Sequence, residues 1–315
     1  MSQYPLLISR SQVRTLLDWE SVLAATREGL LMLPGGQDCS SVATQVIYSG
    51  GSLHLKAAAS EVRQLLSVKS NLRPTNGGVS GVLLVYDLQQ DCLAGIVDAG
   101  FMTAFRTAAI AVLATQELLS QGPVRLAVLG TGPVGRQLML GLQRSLDVKE
   151  FRVWSRHAPR AKEALELLGQ NVLASSWDTV AEAVDGVDIV VTATPAIAPV
   201  LHLNDLTSQP LILAMGADTV GKQELDLALL EASDIVADVI DDAKNVGDCS
   251  HLPTEQRDRV QGLGVVMHHE TSLQRDHHHL VFDSVGSSLV DAAVASVILA
   301  RARELGMGEP VDLSS

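Results

Sequence analysis

The sequence predicts an α/β fold with a doubly wound sheet in its second part. Residues 125–142, RLAVLGTGPVGRQLMLGL, follow the pattern of a buried strand, a glycine-rich turn and a helix. After this run, short apolar segments alternate with helical ones, which is typical of a doubly wound parallel sheet. The segments predicted as strands lie at 150–156, 188–194, 210–217 and 234–239, and the helical ones at 158–169, 178–185 and 223–233.

Composition limits the class of protein. With 315 residues, 47% of them hydrophobic, the chain can bury the core of about two domains. A formal net charge of −13 argues against nucleic acid or an anionic membrane surface as partner. Cys39, Cys92 and Cys249 are odd in number and lack a CxxC spacing, which indicates a reducing compartment. The N-terminus lacks a signal-peptide core and the uncharged, apolar run 189–204 is too short to span a bilayer, so we expect a cytoplasmic protein.

The glycine-rich turn has the GxGxxG spacing that a dinucleotide requires. Gly130 permits the tight turn, Gly132 lets the backbone approach a pyrophosphate, and Gly135 lets the helix pack against the strand. The helix N-terminus then presents N–H groups to the phosphates. The sequence therefore predicts a nicotinamide cofactor rather than a plain structural turn. The predicted contacts are Gly130, Thr131, Gly132, Pro133, Val134 and Gly135.

The end of the next strand distinguishes NADP from NAD. An NAD site usually ends this strand with an acid that binds the ribose hydroxyls, but here Ser155 and Arg156 follow. A guanidinium suits a 2′-phosphate, which it binds through two parallel hydrogen bonds. We therefore favour NADP over NAD; the alternative is that Arg156 is a solvated residue and Ser155 serves NAD.

The front of the chain has no second glycine-rich nucleotide turn. Residues 82–99 read as two strands around a polar turn, which predicts a separate domain that contains a sheet. The following segment, 101–116, carries one charge, Arg106, and is apolar nearly all round, as buried helices are. A buried guanidinium needs an anion. That anion is either a ligand carboxylate or phosphate, or a structural partner such as Asp98.

Several motifs in this order resemble the ornithine cyclodeaminase/mu-crystallin family, over the chain from about residue 6. The motifs are TAFRTAA (103–109), VLGTGPVG (128–135), VVTATP (190–195), MGADTVGKQELD (215–226) and VFDSVGSSLVDAA (281–293). The resemblance implies a Rossmann-type NAD(P)-binding domain, 120–287, inserted in an α+β substrate-binding and dimerisation domain, 1–119 plus 288–315. A homodimer is implied as well.

The resemblance also implies the site. Lys69 and Arg106 would bind the substrate carboxylate, with Lys69 also catalytic, and Asp218 would be the catalytic base. The same motifs imply further cofactor contacts at Thr107, Thr192, Ala193, Thr194, Ser284, Val285 and Gly286.

The residues themselves support these roles in part. Lys69 ends an apolar strand-like run before a polar loop, where an ammonium can bind a carboxylate or polarise an imine. The alternatives are a surface lysine, or Lys56, which has a non-catalytic place in the family pattern. Asp218 directly follows a predicted strand, where residues of an open sheet line the ligand crevice. The alternative for Asp218 is a helix N-cap.

One region departs from the family pattern. Members that act on amino acids usually have an additional Arg before the active-site Lys, but residues 39–56 contain none. Thr44 or Gln45 stands near the expected place, and a neutral contact there would weaken carboxylate binding by roughly 1–3 kcal/mol. Arg63 and Arg73 are the arginines that could substitute.

No metal site is predicted. The stretch 267–282 holds five histidines, a Glu and an Asp but no recognisable ligand spacing, and adjacent residues of a strand point to opposite faces.

The resemblance implies an enzyme that acts at the α-carbon of a small amino acid or cyclic imine, as in the conversion of ornithine to proline and ammonia. The alternatives are a ketimine reductase, an alanine dehydrogenase, or a non-enzymatic mu-crystallin-like protein that binds NADPH or another small ligand.

Overall fold

The chain forms two compact units in the computed structural model, which describes residues 4–33, 39–74, 78–169, 172–268, 273, 276–277 and 279–313. The first unit comprises residues 1–106 and 287–315, and the second comprises residues 107–286. The first division falls inside helix α3 (Ala99–Leu118), not after it at the predicted residue 119. One continuous helix therefore contributes residues to both units.

The first unit is built on a seven-stranded sheet. Its strand order is β17-β1-β6-β5-β4-β3-β2, and only the β1–β6 pair is parallel among the described strands. Strands β5 and β6 pair antiparallel, which confirms the two strands predicted within 82–99. The bounds are β1 Leu6–Ile8, β2 Cys39–Tyr48, β3 Gly51–Ser60, β4 Leu65–Pro74, β5 Ser80–Asp87, β6 Cys92–Asp98 and β17 Glu309–Pro310.

The first unit also contains helices, which pack on its sheet. They are α1 (Arg10–Leu16), α2 (Trp19–Leu31), α10 (Ser288–Glu304) and the first part of α3. Helix α10 packs closely against α2, because a Cβ on Gly29 would lie 2.7 Å from the Cα of Val290. It also packs on strands β2 to β6, and α1 packs on β6. Alternate residues of β4 are therefore buried, and three of them are polar: Ser67, Lys69 and Asn71.

The second unit contains an eight-stranded sheet in which every described pair is parallel. The order is β15-β14-β16-β12-β10-β7-β8-β9, so the chain winds outward from β7 in both directions, except that β16 lies between β12 and β14. This confirms the predicted doubly wound sheet. The bounds are β7 Pro123–Leu129, β8 Asp147–Trp154, β9 Leu173–Ser176, β10 Ile189–Thr192, β12 Leu211–Ala214, β14 Ser233–Ala237, β15 Gln261–Gly262 and β16 His279–Asp283.

The remaining elements surround this sheet. Its central strands β10, β12 and β14 are buried along their whole length, as strands covered on both faces are. Strands β11 (Ile197–Leu201) and β13 (Gln223–Leu225) form a separate parallel pair. The helices are α4 Pro133–Ser145, α5 Ala158–Leu165, α6 Val180–Val184, α7 Leu227–Glu231, α8 Ile240–Val246 and α9 Leu263–Met267.

The helix predicted over 223–233 is wrong at its start. Residues 223–225 form β13, and the helix begins only at Leu227. Asp226 explains the boundary, because its side chain accepts a hydrogen bond from the N–H of Leu229 at 2.9 Å and so caps the helix. Within the described parts of the chain, no helix combines the length and apolar character that crossing a membrane requires.

Candidate active site

A buried ion cluster lies in the first unit. Lys69 in β4 and Arg106 in α3 are each 4% exposed, and Asp291 in α10 is fully buried. The Asp291 carboxylate accepts from Lys69 Nζ at 2.5 Å and from Arg106 Nε at 2.9 Å. One carboxylate thus serves two cations on two other elements.

The structural partner of Arg106 is Asp291 and not Asp98, the example that the sequence suggested. Asp98 pairs instead with Arg10, at 3.1 Å. Asp291 was not predicted, although a signal was present: it is the lone charge of the apolar run 288–300, as Arg106 is of 101–116. Single opposite charges in two apolar helices are expected to form an ion pair, because burying an unpaired charge lowers the stability of the fold.

Burial and neighbouring charges shift the cluster's protonation. Burial, helped by the charges of Arg106 and Lys56 and opposed by that of Asp291, lowers the pKa of Lys69 to about 7. Burial also acts to raise the pKa of Asp291, but Arg106 and Lys69 outweigh it and hold that pKa below its ordinary value. Near neutral pH, Asp291 is therefore charged while Lys69 exchanges its proton readily, as a general acid or base requires.

Lys69 is not the surface lysine of the alternative interpretation. It lies in the middle of β4 rather than at the end of an apolar run, and it faces α10. Lys56 stands directly opposite it on β3, half-buried.

The region without the expected arginine forms β2 and β3. Gln45 pairs with His54, which pairs with Asn71, so all three share the sheet face of Lys69. Thr44 lies on the opposite face. Arg73, two residues beyond Asn71, shares the Lys69 face and is half-buried, whereas Arg63 forms an ion pair with Glu28 of α2.

The glycine-rich turn of the second unit has the geometry that a dinucleotide needs. Gly130 adopts φ +115°, and a Cβ there would lie 2.4 Å from the carbonyl oxygen of Ala193. A Cβ on Gly135 would lie 2.1 Å from the carbonyl oxygen of Gly130. Gly132 caps α4, is exposed and has no atom within 4 Å of a Cβ position, which leaves space for a pyrophosphate. Thr131 is buried beside it, and Pro133 and Val134 begin the helix.

The end of β8 carries basic side chains. Ser155 is half-buried, and its hydroxyl accepts from the N–H of His157 at 3.4 Å. Arg156 and Arg160 are exposed, and neither guanidinium has a partner among the residues that the structure describes. Both are therefore available to an anion.

The loop after β10 is held by an acid that the sequence interpretation missed. Glu224 is fully buried and accepts from the hydroxyls of Thr192 and Thr194 at 2.8 and 2.7 Å. It also accepts from the N–H groups of Thr194 and Gly216. The two threonine hydroxyls and the loop around Ala193 are thus oriented by Glu224.

The loop after β16 is held in the same way by Asp238. Its carboxylate accepts from the hydroxyl of Ser284 at 2.7 Å and from the N–H groups of Val285 and Gly286 at 3.1 and 2.8 Å. These three predicted cofactor contacts lie at the carboxyl edge of the sheet. Thr107, also predicted, lies buried in α3.

Asp218 lies in the loop after β12 and is 24% exposed. Its carboxylate accepts from Lys222 Nζ at 2.8 Å and from the Thr219 hydroxyl at 3.1 Å. The N-cap alternative is wrong, because the next helix begins at Leu227 and is capped by Asp226. Lys222 was not predicted; only its spacing of four residues from Asp218 hinted at the pair.

The histidine-rich stretch lies partly outside the described residues, which omit 269–272, 274–275 and 278. Within them, His277 Nδ1 lies 2.9 Å from Asp234 and its Nε2 lies 2.8 Å from Arg259. Over the described parts of the chain, no group of three or more His, Cys, Asp or Glu side chains is arranged to hold a metal ion.

A doubly wound sheet with this glycine-rich turn defines the class of nucleotide-binding α/β proteins. Residues 12–306 match the model of the ornithine cyclodeaminase/mu-crystallin family, and the chain belongs to that family. An uncharacterized cyclodeaminase of Sinorhizobium fredii is 30% identical over 68% of this chain and 67% of its own length. The iminosuccinate reductase of Paracoccus denitrificans is 28% identical over 73% of each chain.

Solved structures share the whole fold. The archaeal alanine dehydrogenase dimer with bound NAD superposes with a TM-score of 0.89 at 22% identity, over 98% of this chain and 99% of that one. The Thermococcus litoralis Δ1-pyrroline-2-carboxylate reductase, solved with NADH and L-proline, gives 0.89 at 22% identity, over 97% and 100%. At these identities the likeness shows the fold, with a nicotinamide cofactor bound in both neighbours.

Proposed function

We propose that this chain is an NAD(P)-dependent enzyme that acts at the α-carbon of a small amino acid or imine. The buried Lys69–Asp291–Arg106 cluster carries the proposal. A purely structural pair would need one cation for one carboxylate, whereas here two cations share Asp291. Relatives in the family include cyclodeaminases and NAD-linked reductases, which supports this reaction class.

Each residue has a distinct proposed role. Arg106 and Lys69 bind the substrate carboxylate, since a guanidinium and an ammonium both donate to carboxylate oxygens. Lys69 also holds the proton that an imine nitrogen gains or an amine loses, because its pKa of about 7 suits both directions. Asp218 is proposed as the base that takes a proton from a substrate amine, with Lys222 as its positioning partner. The bound nicotinamide supplies or accepts the hydride.

The cofactor is proposed to be NADP(H). Arg156 and Arg160 at the end of β8 are exposed and without partners in the described chain, and no acid ends that strand. Arg156→Ala should weaken NADPH binding about tenfold or more and leave NADH binding nearly unchanged. Fluorescence titration measures the dissociation constants of NADPH and NADH, with Arg303→Ala as control. Equal losses for the two cofactors would overturn the NADP assignment.

A homodimer is proposed through the first unit. The sheet face opposite α10 presents Val42, Val46, Leu72 and Val82, which are 38–60% exposed. Contiguous apolar surface of this kind is typical of protein interfaces. Light scattering should give twice the mass of one chain, and Val82→Glu should yield monomer. Ile197→Glu, at an exposed position of the second unit, is the control and should stay dimeric.

We place the chain in the cytoplasm. The three cysteines are free thiols, which supports a reducing compartment.

The test of the proposed reaction is a panel of amino acids, oxo acids with ammonia, and cyclic imines with both cofactors. Absorbance of the reduced cofactor and formation of product are recorded together. A reductase or dehydrogenase changes the absorbance in step with product, whereas a cyclodeaminase makes cyclic product and ammonia with no net change. Tight NADPH binding without product in any combination would favour the binding-protein alternative.

A further inference from the structure

Two buried carboxyl groups of the second unit are neighbours. Asp248 begins the short helical turn Asp248–His251, and Asp283 ends β16. Asp283 Oδ2 accepts a hydrogen bond from the N–H of Cys249 at 2.8 Å, and a Cβ on Gly247 would lie 2.5 Å from the same oxygen. The Asp283 carboxyl is thus packed against the residues on both sides of Asp248. We call Asp248 and Asp283 the acid pair.

Each member of the acid pair has one oxygen without a donor. Both side chains are fully buried. Asp248 Oδ1 accepts from the N–H groups of Glu224 and Leu225 at 2.7 and 2.9 Å. No described group donates to Asp248 Oδ2 or to Asp283 Oδ1. A buried, charged oxygen without a donor destabilises the fold. A proton on one of these two oxygens supplies the missing donor, because a protonated carboxyl group donates one hydrogen bond.

Further acids surround the acid pair. Glu224 on β13 and Asp238 after β14 are buried, and their charges act on Asp248 and on Asp283 respectively. Burial, followed by the charges of Asp283 and Glu224, raises the pKa of Asp248 well above its ordinary value. Burial raises the pKa of Asp283 to about 7, although the N–H of Cys249 opposes it. Since carboxylates packed together disfavour full ionisation, this region retains a proton near neutral pH.

The other charged or titratable groups around the pair are already engaged or neutral. The charge of Arg257 reaches Cys249, but its guanidinium donates to three backbone carbonyls. Burial raises the pKa of the Cys249 thiol, which therefore stays neutral. Asp234 of β14 is bonded to His277, and His251 Nε2 contacts a backbone carbonyl at 2.9 Å. The buried side chains of α7, α8 and β12 are apolar, so the charged residues of these elements lie outside the buried region.

The acid pair is connected to both loops that carry predicted cofactor contacts. Asp248 holds the backbone of Glu224, whose carboxylate orients the loop after β10 and binds the N–H of Gly216. Asp283 is followed directly by the loop 284–286, which Asp238 holds. A change of charge at the pair therefore reaches each loop through one neighbouring residue.

We propose that Asp248 and Asp283 are positioning residues that share one proton at neutral pH, and that this proton keeps the two loops in the conformation that binds the cofactor. When the proton is lost, two neighbouring buried carboxylates repel each other and the loops lose their support. The protonated form binds the dinucleotide more tightly, so affinity falls as pH rises above about 7. The inference rests on the proposed function, because that function has this unit bind NAD(P).

The first test is the pH dependence of NADH binding to the full chain. NADH is the probe because it lacks the 2′-phosphate of NADPH, which itself titrates near pH 6. Fluorescence titration should give a dissociation constant that rises about tenfold or more between about pH 6 and about pH 9. Titration calorimetry near neutral pH, in two buffers of different ionisation enthalpy, should show proton uptake on binding.

Two outcomes of this test separate the inference from the proposed function. Constant NADH affinity over this pH range, without proton uptake, would overturn the inference and leave the proposed function standing. Absence of NADH and NADPH binding at every pH would refute the proposed function itself.

The second test assigns the pH dependence to the acid pair. Asp248→Asn and Asp283→Asn each replace the shared proton with a permanent N–H donor, so NADH affinity should no longer change with pH in either variant. Asp258→Asn removes an acid whose side chain is 91% exposed, and it should keep the dependence of the unmodified protein. Lys69→Met should keep it too, which separates the pair from the other group that titrates near pH 7. Melting curves show which variants fold. An unchanged pH dependence in a folded Asn variant of the pair would contradict the assignment.

The third test needs no variant. Infrared spectra of the unmodified protein should contain the C=O band of a protonated carboxyl group at about pH 6, and this band should weaken as pH rises to about 9. A spectrum without that band near neutral pH would overturn the shared proton, whether or not the variants fold.

Discussion

The two units each bury a cluster of charges, but the clusters are built in opposite ways. In the first unit, Lys69 and Arg106 share the single carboxylate of Asp291. In the second unit, Glu224, Asp248 and Asp283 are all buried acids, and their hydrogen-bond partners in the described chain are hydroxyl and N–H groups rather than cations. Asp248 accepts from the N–H groups of Glu224 and Leu225, and Asp283 from that of Cys249.

The difference teaches how buried charge is used. Burial raises the pKa of Glu224 and of Asp248, and it raises that of Asp283 to about 7. These acids accept hydrogen bonds that hold the loops around them. The cations of the first unit keep an excess of charge that a bound anion can neutralise. The acids of the second unit orient the backbone, and the cations of the first unit are proposed to bind a ligand.

The largest effect on activity, and the strongest test of this difference between the two clusters, is expected from a change at Lys69. Lys69→Met should lower turnover roughly 10²–10⁴-fold, the usual scale for a group that transfers a proton. Folding should be retained, because Asp291 keeps Arg106 as a partner. Steady-state kinetics and a melting curve measure the two effects. Turnover near that of the unmodified protein would make the cluster purely structural.

Asp291→Asn should act on stability and on the pH profile together. It leaves Arg106 and Lys69 buried without their shared counter-charge, at a cost of about 3–5 kcal/mol in unfolding free energy. Since Asp291 raises the pKa of Lys69, that pKa should fall below 7 in the variant. Urea denaturation and the pH dependence of kcat/KM are the measurements. An unchanged pH profile would separate Lys69 from the reaction.

A smaller loss is expected from Glu224→Gln in the second unit. Glutamine has one acceptor oxygen where four donors converge, so unfolding free energy should fall by about 1–3 kcal/mol. The loop around Ala193 should lose its orientation and cofactor affinity should drop. NADPH titration checks this, with Glu166→Gln at the surface as the matched control. Unchanged affinity for NADPH in a correctly folded variant would show that Glu224 does not orient the cofactor site.

A further effect, on the pH dependence of stability alone, concerns Asp283. Its folded pKa of about 7 lies above its ordinary value of 3.8, so the folded state binds more protons between these pH values. Stability should therefore fall as pH rises from about 4 to 7. Asp283→Asn should remove that part of the slope in a series of melting temperatures. Lys69 should give the opposite slope, with stability that rises between pH 7 and 10.5 because its folded pKa is lowered. Identical slopes in Asp283→Asn and the unmodified protein would contradict the raised pKa.

The sequence predicts the second unit better than the first. Continuous apolar runs and the GxGxxG turn are local signals, so strands β7, β10, β12 and β14 and the doubly wound sheet were predictable. The short strand β13 was not, because Gln223–Leu225 pairs with β11 through contacts that no local pattern encodes. Asp226 marked the true helix start and was available as a signal.

In the candidate site too, residues within motifs were predictable and their distant partners were not. Lys69, Arg106 and Asp218 were named from motifs, but their partners Asp291 and Lys222 were not. Lys56 was set aside because the family pattern gives it a non-catalytic place, whereas the β3–β4 register places it opposite Lys69. Charge balance across a sheet face is a property of the folded chain. It becomes visible only once strand order is known.

The most direct test of the central claim follows the hydride itself. The enzyme is supplied with reduced cofactor carrying deuterium at the transferable position of the nicotinamide, together with either the oxo acids of the panel and ammonia or its cyclic imines. The account predicts an amino acid with deuterium at its α-carbon, detected by mass spectrometry and NMR, in amounts equal to the cofactor oxidised. Oxidised cofactor without α-deuterated product, or no product from any member of the panel, would contradict it.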